Sequence, residues 1–225
     1  MEFEEWEPLY ERILEEFNFS RRADEEAARS LDELLAHKDV YPLELLRRKL
    51  ANGVTVCGNA PGLEDALLTC DLSGAVIAAD GATSALLHVA GRVPDVIVTD
   101  LDGDVADQIS ANSQGAVVII HAHGDNVDAM KRYVPRMPGK VMGTTQSKPF
   151  GRLHNFGGFT DGDRAVLMAR HFGAPVRLLG FDFDKPRLKE GRDVEVKKRK
   201  LAWARRLICD TDEDEHCSAI NLDLS

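Results

Sequence analysis

The stretch PDVIVTDLDGD, residues 94–104, decides how the rest of this 225-residue chain is interpreted. Its β-branched run VIVT is typical of a buried strand, and an aspartate then follows at every second position. Residues two apart in an extended backbone point to the same side, so Asp100, Asp102 and Asp104 direct three carboxylates to one place. These carboxylates repel one another unless a cation lies among them, and hard oxygen donors suit Mg²⁺. The sequence therefore predicts a magnesium site with these three aspartates as ligands.

Alternating aspartates also open the calcium-binding loop of EF-hand proteins, which requires glycine at its sixth position and glutamate at its twelfth. Those positions hold Val105 and Ala111, so the calcium loop is excluded. A second interpretation stays open for one carboxylate, because Asp102 or Asp104 is well placed to cap the helix that follows. Capping uses one carboxylate and leaves two for a metal ion.

Short apolar segments alternate with helical ones through the middle of the chain. They are apolar on both faces, which is typical of strands in a parallel sheet that helices cover. We expect helix caps at Thr83 or Ser84 and at Asp161. The sequence thus predicts an α/β fold, with a mostly parallel open sheet flanked by helices, in a domain at residues 53–190. The expected strands are residues 54–57, 75–79, 96–99, 116–121, 140–142 and 176–181.

Residues 1–52 predict a helical region that precedes the sheet. Apolar residues recur at helical spacing between positions 4 and 18, from about residue 24, and again after Pro42. Their apolar faces need a cover, which the next domain or a second subunit can supply. We therefore expect a homo-oligomer, most simply a dimer. Residues 191–225 predict a basic helix that runs into an acidic tail.

The charge of the chain restricts its partners. The net charge is −10 at pH 7 and the pI is about 5.2. Nucleic-acid phosphates and anionic membranes repel so acidic a protein, so neither is expected as a partner. No apolar run approaches the ~18 residues of a membrane span, and the acidic start MEFEE does not resemble a signal peptide. We expect a cytoplasmic protein.

Two turns after the first two strands are candidates for binding a nucleotide. Gly58 and Asn59 follow the first strand, where glycine lets a backbone approach a phosphate and a helix start offers free N–H groups. Asp80 and Gly81 close the second strand, where acidic residues of nucleotide-binding folds contact a ribose or a base. The alternatives are an ordinary strand-to-helix turn at Gly58 and a helix cap at Asp80.

The fourth strand ends in HAHGDN, residues 121–126. His121 and His123 face one way, but we find no convincing third or fourth zinc ligand by spacing. We expect both histidines, together with Asn126, to contact phosphate or substrate, and Asp125 to lie beside them at a helix start. A purely structural turn is the alternative.

Two later loops can hold a second substrate. Thr145 and Gln146 follow the fifth strand, and Asn155, Phe159 and Asp161 lie around a pair of glycines. Phenylalanines on both sides of this pair predict a slot for a flat heterocycle. A flexible glycine-rich loop is the alternative.

Taken as an ordered set, these motifs resemble a known family, the archaeal 6-hydroxymethyl-7,8-dihydropterin pyrophosphokinases, which are related to the catalytic domain of thiamine pyrophosphokinases. The resemblance implies a thiamine-pyrophosphokinase-like fold. It also implies Mg²⁺-dependent transfer of diphosphate from ATP to the hydroxymethyl group of the pterin, with release of AMP. The product would feed tetrahydromethanopterin or folate synthesis. The motifs are ADGA at residues 79–82, PDVIVTDLDGD at 94–104, HAHGDN at 121–126, TTQ at 144–146 and NFGGFTDGDR at 155–164.

The resemblance also assigns roles to single residues. Asp100 and Asp102 match the acidic pair expected to hold Mg²⁺, and Asp80 and Gly81 match the nucleotide-side loop. Diphosphoryl transfer requires positioning and charge neutralisation more than a protein nucleophile. A nearby carboxylate such as Asp125 is then the candidate to take the proton of the substrate hydroxyl.

The chain departs from the thiamine enzymes at two places. Asn126 stands where they have a Thr-Asp pair, and no C-terminal β-sandwich is evident. Residues 53–190 are therefore interpreted as the nucleotide-binding catalytic domain of a pterin enzyme. The alternatives are a thiamine-type pyrophosphokinase, a nucleotide-sugar transferase and a non-catalytic nucleotide-binding module.

Overall fold

The computed structural model describes residues 1–185, 187 and 193–209. Within them lies a seven-stranded sheet in which every strand runs parallel to its neighbours, in the order β6-β5-β4-β3-β2-β1-β7. The predicted α/β fold is confirmed, while the predicted acidic tail lies outside the described residues. The strands are β1 (Val54–Cys57), β2 (Ala75–Ala79), β3 (Val96–Thr99), β4 (Val117–Ala122), β5 (Val141–Thr145), β6 (Leu153–His154) and β7 (Val176–Leu179).

Helices cover both faces of the sheet. Among the residues that the structure describes, none of them is long and apolar enough to cross a membrane. The α-helices are α1 (Phe3–Phe17), α2 (Arg21–Leu35), α3 (Leu43–Leu50), α4 (Leu63–Thr69), α5 (Ala82–His88), α6 (Val105–Ser113), α7 (Val127–Tyr133), α8 (Asp161–His171) and α9 (Val194–Cys209).

The two faces of the sheet belong to different hydrophobic cores because neighbouring strand residues point in opposite directions. Ile97 and Val118 lie in a core with α2 and α4 to α7, whereas Val98 and Ile119 lie in a core with α3 and α8. Right-handed crossovers explain the split. The chain steps in one direction from β1 to β6, and α8 then returns it to β7 over the opposite face. As a result, α8 begins at the carboxyl edge of the sheet.

The N-terminal helices pack against the rest of the same chain. Leu31 and Leu35 of α2 lie in the first core and Leu46 of α3 lies in the second, all fully buried. Trp6 and Tyr10 of α1 form a third cluster with α9. Since the chain itself covers these faces, they no longer argue for a second subunit, and the oligomeric state stays a prediction.

Two helix starts differ from the sequence-based expectation. Helix α5 begins before Thr83 and Ser84, which therefore lie inside its first turn and do not cap it. Helix α8 begins at Asp161, and its cap is Thr160, whose backbone N–H and hydroxyl both donate to the carboxylate of Asp163. This reciprocal capping box uses a residue inside the first turn, which a search for one capping side chain misses. Strand β6 was also missed, because its two residues are too few to show a pattern.

Candidate active site

The candidate site lies at the carboxyl edge of the sheet, where ligands of open parallel sheets bind. The ends of β2, β3, β4 and β5 are neighbours there, and α8 begins beside them. Each segment contributes polar side chains that are buried, which is unusual unless they are hydrogen-bonded or used. They are Asp80, Thr99, His121, Asn126, Thr144, Thr145, Gln146, Asp163 and Arg164.

Three carboxylates meet at this edge. Asp80, Asp100 and Asp102 each offer one oxygen, and these oxygens lie within 4.8 Å of one another. The sequence placed Asp80 on the nucleotide side; the structure brings it to the acidic pair, because β2 and β3 are adjacent strands. Asp104 is not part of this group. Its Oδ1 accepts hydrogen bonds from the N–H groups of Ala106 (3.0 Å) and Asp107 (3.3 Å) and so caps α6.

The Asp80 carboxylate is held by groups from three segments. Its Oδ1 accepts hydrogen bonds from the Thr99 hydroxyl (3.0 Å), the Gly103 N–H (3.1 Å) and the Gln108 amide (3.0 Å). A Cβ at Gly103 would lie 2.6 Å from both Asp80 oxygens, so only glycine allows this approach. Asp80 itself has a φ of 42°, in the left-handed region where aspartate is better tolerated than most residues.

The loop after β3 carries backbone strain at its centre. Leu101 has a φ of 67° and is buried, although the Cβ of an L-residue disfavours the left-handed region by about 1–2 kcal/mol. The Thr99 hydroxyl accepts from the Leu101 N–H at 2.8 Å, and Asp100 Oδ1 accepts from the Asp102 N–H at 3.1 Å. Strain of this kind collects at functional sites. Here it fixes the direction of the two flanking carboxylates.

His123 stands beside the carboxylate group. Its Nε2 lies 3.4 Å from Asp100 Oδ2. Burial alone would raise the pKa of Asp100, but the bond to His123, the charge of His123 and the charge of Arg164 together bring that pKa well below its usual range. Asp100 is therefore ionised at neutral pH, as a metal ligand must be.

Asn126 fixes the two neighbouring strand ends. Its amide donates to the carbonyls of Asp100 (2.9 Å) and His121 (2.7 Å), and its Oδ1 accepts from the His123 N–H (3.1 Å). Its side chain thus contacts backbone groups of this chain, which makes it a positioning residue. Asp125, next to it, is exposed, and its N–H donates to His123 Nδ1 at 3.3 Å.

His121 points into a small cavity of about 10 Å³ that Arg164 also lines. Its Nδ1 lies 3.1 Å from the Thr144 hydroxyl, while its Nε2 and the Nε of Arg164 are buried with no hydrogen-bond partner among the described residues. Burial lowers the pKa of His121 well below its usual value, so the ring is neutral. It is therefore available as a hydrogen-bonding group rather than as a cation.

Arg164 is a buried cation of this site that the sequence analysis missed. One nitrogen donates to Asp161 Oδ1 (3.1 Å), and the other donates to the Phe159 carbonyl (2.8 Å) and to Gln146 Oε1 (3.4 Å). Gly158, with a φ of 102°, packs against it so closely that an added Cβ would lie 2.6 Å from the Arg164 Cγ. The sequence showed the pair of glycines, but it did not show that Gly158 packs against Arg164.

Asp161 is buried beside this arginine, which donates to its Oδ1 at 3.1 Å. Burial, followed by the charge of Asp100, raises the pKa of Asp161 well above its usual value, although Arg164 opposes the shift. Burial also raises the pKa of Asp163, which is the N3 partner of Thr160 in the capping box of α8. The first turn of α8 thus places one acid beside the site and uses the other for structure.

The predicted slot between two phenylalanines is not formed. Phe156 lies in the core under α3 and α8, whereas Phe159 lies in the cluster of α1 and α9, with its ring centroid 5.0 Å from that of Phe17. Asn155 donates to the Ser147 carbonyl (2.9 Å) and accepts from the Gly157 N–H (2.8 Å), so it shapes the loop. The rings diverge because the loop passes from one core to another.

The remaining predicted residues have mixed surroundings. Gly58 packs against the Gly180 carbonyl, which an added Cβ would approach to 2.7 Å, so its small size has a structural reason. The Asn59 amide lies over Gly81, and its buried Oδ1 has no hydrogen-bond partner within the described part of the chain. The Thr145 hydroxyl is buried and lies 3.0 Å from that of Ser147. Asn59 thus offers the clearest unused acceptor of this group.

Comparisons with known proteins show the family of this chain. Residues 26–187 match the model of the family described as 6-hydroxymethylpterin diphosphokinase MptE-like. The chain is 46% identical over 221 residues to the 6-hydroxymethyl-7,8-dihydropterin pyrophosphokinase of Methanothermobacter thermautotrophicus, covering 92% of this chain and 94% of that protein. Proteins of the same name from Pyrococcus furiosus and Methanocaldococcus jannaschii are 45% and 35% identical, and each alignment covers 92% of this chain. The chain is a member of the MptE-like family of 6-hydroxymethylpterin diphosphokinases.

Proposed function

We propose that this protein transfers a diphosphate group from ATP to the hydroxyl of 6-hydroxymethyl-7,8-dihydropterin and releases AMP, with Mg²⁺ bound at the carboxylate group. The hydroxymethyl oxygen forms a bond to the β-phosphorus. The bond from the β-phosphorus to the oxygen that bridges it to the α-phosphorus breaks, and AMP leaves with that oxygen. The hydroxyl proton passes to a carboxylate. The product would enter tetrahydromethanopterin or folate synthesis.

The observation that carries the proposal is the meeting of Asp80, Asp100 and Asp102. Ligands of one Mg²⁺ ion lie at about 2.0–2.1 Å from it, and so no more than about 4.2 Å from each other. Oxygens within 4.8 Å of one another need only small side-chain rotations to reach that spacing. Carboxylate oxygens are also the donors that Mg²⁺ prefers. The residues present therefore fit the ion.

The bound ion would neutralise charge on the phosphates that react. The chain's own residues would do the rest. His123 would hold the Asp100 carboxylate toward the ion, and Asn59 offers an unused acceptor to the nucleotide. Asp125, exposed at the start of α7, is the candidate for taking the hydroxyl proton. Buried Arg164 would hold its neighbours in place rather than reach the phosphates.

The names of the relatives support a pterin as the acceptor. The deciding assay measures AMP release from ATP and Mg²⁺ with 6-hydroxymethyl-7,8-dihydropterin, with thiamine, and with no acceptor. We expect AMP with the pterin, and no AMP when EDTA removes the metal. Release of AMP with thiamine but not with the pterin would show that thiamine, and not the pterin, is the acceptor. ATP binding without AMP from either acceptor would overturn the proposal in favour of a nucleotide-binding module. Light scattering of the same sample tests the proposed homodimer.

A further inference from the structure

We propose that Asp24, on helix α2, is a positioning residue that holds the carboxylate and phosphate site in its working geometry. The proposal rests on the function proposed above. It makes the N-terminal helices part of the active-site machinery, although they contribute no candidate ligand.

The Asp24 carboxylate is buried and accepts three hydrogen bonds. Asp24 is only 3% exposed to solvent. Oδ2 accepts from the Tyr10 hydroxyl (2.6 Å) and from the Gln146 amide (2.8 Å), and Oδ1 accepts from the Gly124 N–H (2.8 Å). An ionised group in the interior is costly unless such bonds compensate it. These bonds tie together helix α1, the loop after β4 and the end of β5.

One path leads from Asp24 to the metal ligands. Gly124 directly follows His123, whose Nε2 lies 3.4 Å from Asp100. The loop lies so close to α2 that a Cβ on Gly124 would be 2.7 Å from the Cβ of Ala23. Movement of this backbone N–H would therefore displace the histidine that contacts Asp100.

A second path leads to the buried arginine. Gln146 donates to Asp24 through Nε2 and accepts from Arg164 through Oε1 at 3.4 Å. Arg164 in turn donates to Asp161 at 3.1 Å. The Gln146 amide must present its NH2 group to Asp24 and its oxygen to Arg164, so the Asp24 acceptor oxygen fixes its orientation.

Helix α1 also donates hydrogen bonds to Gln146 and to Asp24. The Trp6 indole N–H donates to the Gln146 carbonyl at 2.8 Å. Burial, and then the hydrogen bond to Asp24, raises the pKa of Tyr10, so its hydroxyl remains a donor. Packing of α1 would need only apolar contacts. Its two buried polar contacts converge on Gln146 and on the carboxylate that orients it.

The test compares Asp24→Asn with Asp32→Asn. Asp32 lies on the same helix and also holds a loop, through the Arg152 N–H at 2.7 Å, but it does not touch the site. Outer contacts of metal ligands typically contribute about 10–100-fold to affinity or activity. We therefore expect Asp24→Asn to lower kcat for AMP release and to weaken Mn²⁺ binding, measured by electron paramagnetic resonance, by about tenfold. Asp32→Asn should stay within about twofold of the unmodified protein in both measurements.

A reciprocal exchange separates positioning from general loosening of the fold. The double variant combines Asp24→Asn with Gln146→Glu. The amide at position 24 then donates to the carboxylate at position 146, and that carboxylate also accepts from Arg164. Recovery of Mn²⁺ affinity in this double variant supports the proposal, because a merely weakened fold would not recover. If Asp24→Asn fails to fold, as circular dichroism would show, Gln146→Met is measured instead. It keeps the bond to Gly124 but removes both amide contacts.

The outcomes separate this inference from the proposed function. Mn²⁺ binding can be measured without turnover. It therefore tests the positioning role of Asp24 even if no acceptor yields AMP. Unchanged Mn²⁺ affinity in a folded Asp24→Asn or Gln146→Met protein overturns the inference. Equal losses in Asp24→Asn and Asp32→Asn overturn it as well, since they would mean that α2 only stabilises the fold. Absence of AMP with intact Mn²⁺ binding overturns the proposed reaction alone.

Discussion

The Gly103 N–H donates a 3.1 Å hydrogen bond to Asp80 Oδ1 and so joins the loop after β3 to the end of β2. Strands β2 and β3 are neighbours, so two aspartates from the later loop come within reach of an aspartate that precedes them by some twenty residues. The contact leaves no room for a side chain at position 103. The contact between Gly103 and Asp80 brings the Asp80 carboxylate to those of Asp100 and Asp102.

Gly103→Ala is expected to disrupt this group. Its Cβ would lie 2.6 Å from both oxygens of Asp80, so the loop or the carboxylate must shift. We expect loss of AMP release of about 100-fold, the scale for removing one positioned electrostatic group, with the protein still folded. The matched control is Gly62→Ala at the start of α4, where nothing lies within 4 Å of the added atom. Equal activity of the two variants would contradict the assigned geometry.

Asp100→Asn and Asp104→Asn are expected to differ in activity. The first removes charge from a carboxylate of the group, so we expect loss of Mn²⁺ binding and about 100-fold or more loss of AMP release. Asparagine caps a helix about as well as aspartate, so Asp104→Asn should keep its activity, while Asp104→Ala should lower the free energy of unfolding by about 1 kcal/mol. Chemical denaturation measures the latter. Loss of Mn²⁺ binding in Asp104→Asn would show that Asp104 is a metal ligand, as the sequence predicted.

Gly158→Ala is expected to destabilise the protein through Arg164. Its φ of 102° strains any side chain, and the new Cβ would meet the Arg164 Cγ at 2.6 Å. Gly91→Ala separates the two effects, because Gly91 has a φ of 59° with nothing within 4 Å. We expect a loss in the free energy of unfolding of about 1–2 kcal/mol for Gly91→Ala, from backbone strain alone, and a larger loss for Gly158→Ala. Similar losses for both variants would show that the contact with Arg164 contributes nothing.

His154 is expected to make stability fall in acid. Burial, and then the charge of His171, lowers the pKa of His154 in the folded protein below its unfolded value. This stabilisation is present above the unfolded pKa of about 6.5 and is lost as pH falls through the folded pKa. His154→Phe keeps the ring stacked on Phe156 but binds no proton. Denaturation between pH 7 and pH 5 should therefore show a shallower fall for the variant. Identical pH slopes would contradict this assignment.

Removal of residues 1–52 is expected to unfold the remainder of the chain. Leu31 and Leu35 complete one core of the sheet and Leu46 and Leu50 complete the other, all with 1% or less exposure. Deleting one such side chain typically costs about 2–5 kcal/mol, and a domain has about 5–15 kcal/mol in total. Thermal unfolding of residues 53–225 should show no cooperative transition. A cooperative transition would establish the boundary that the sequence predicted near residue 52.

The sequence by itself determined the class of fold and predicted the edge of the sheet where the candidate site lies. The bounds of β1, β2 and β3 match the expected strands, because short β-branched runs between turns are a local property of the chain. The same runs, apolar on both faces, predicted a parallel sheet and therefore a site at its carboxyl edge. The pairing of Asp100 with Asp102 could also be predicted from their spacing. The reason differs from the expected one, because the backbone between them is not extended but left-handed at Leu101.

Only the tertiary structure decided which side chains meet. Asp80 approaches Gln108 across 28 residues of sequence, and Asp24 approaches Gln146 across 122. No local pattern encodes such contacts, because they depend on the order of the strands and on the face that each helix covers. Arg164 has two partners nearby in the chain, Asp161 and Phe159. It was missed because its burial and its contact with Gln146 depend on how the end of β5 meets α8. The hydrophobic periodicity of a strand or helix depends on residues that are close in the sequence. The set of side chains that meet in the site depends on the order of the strands, which no local sequence pattern shows.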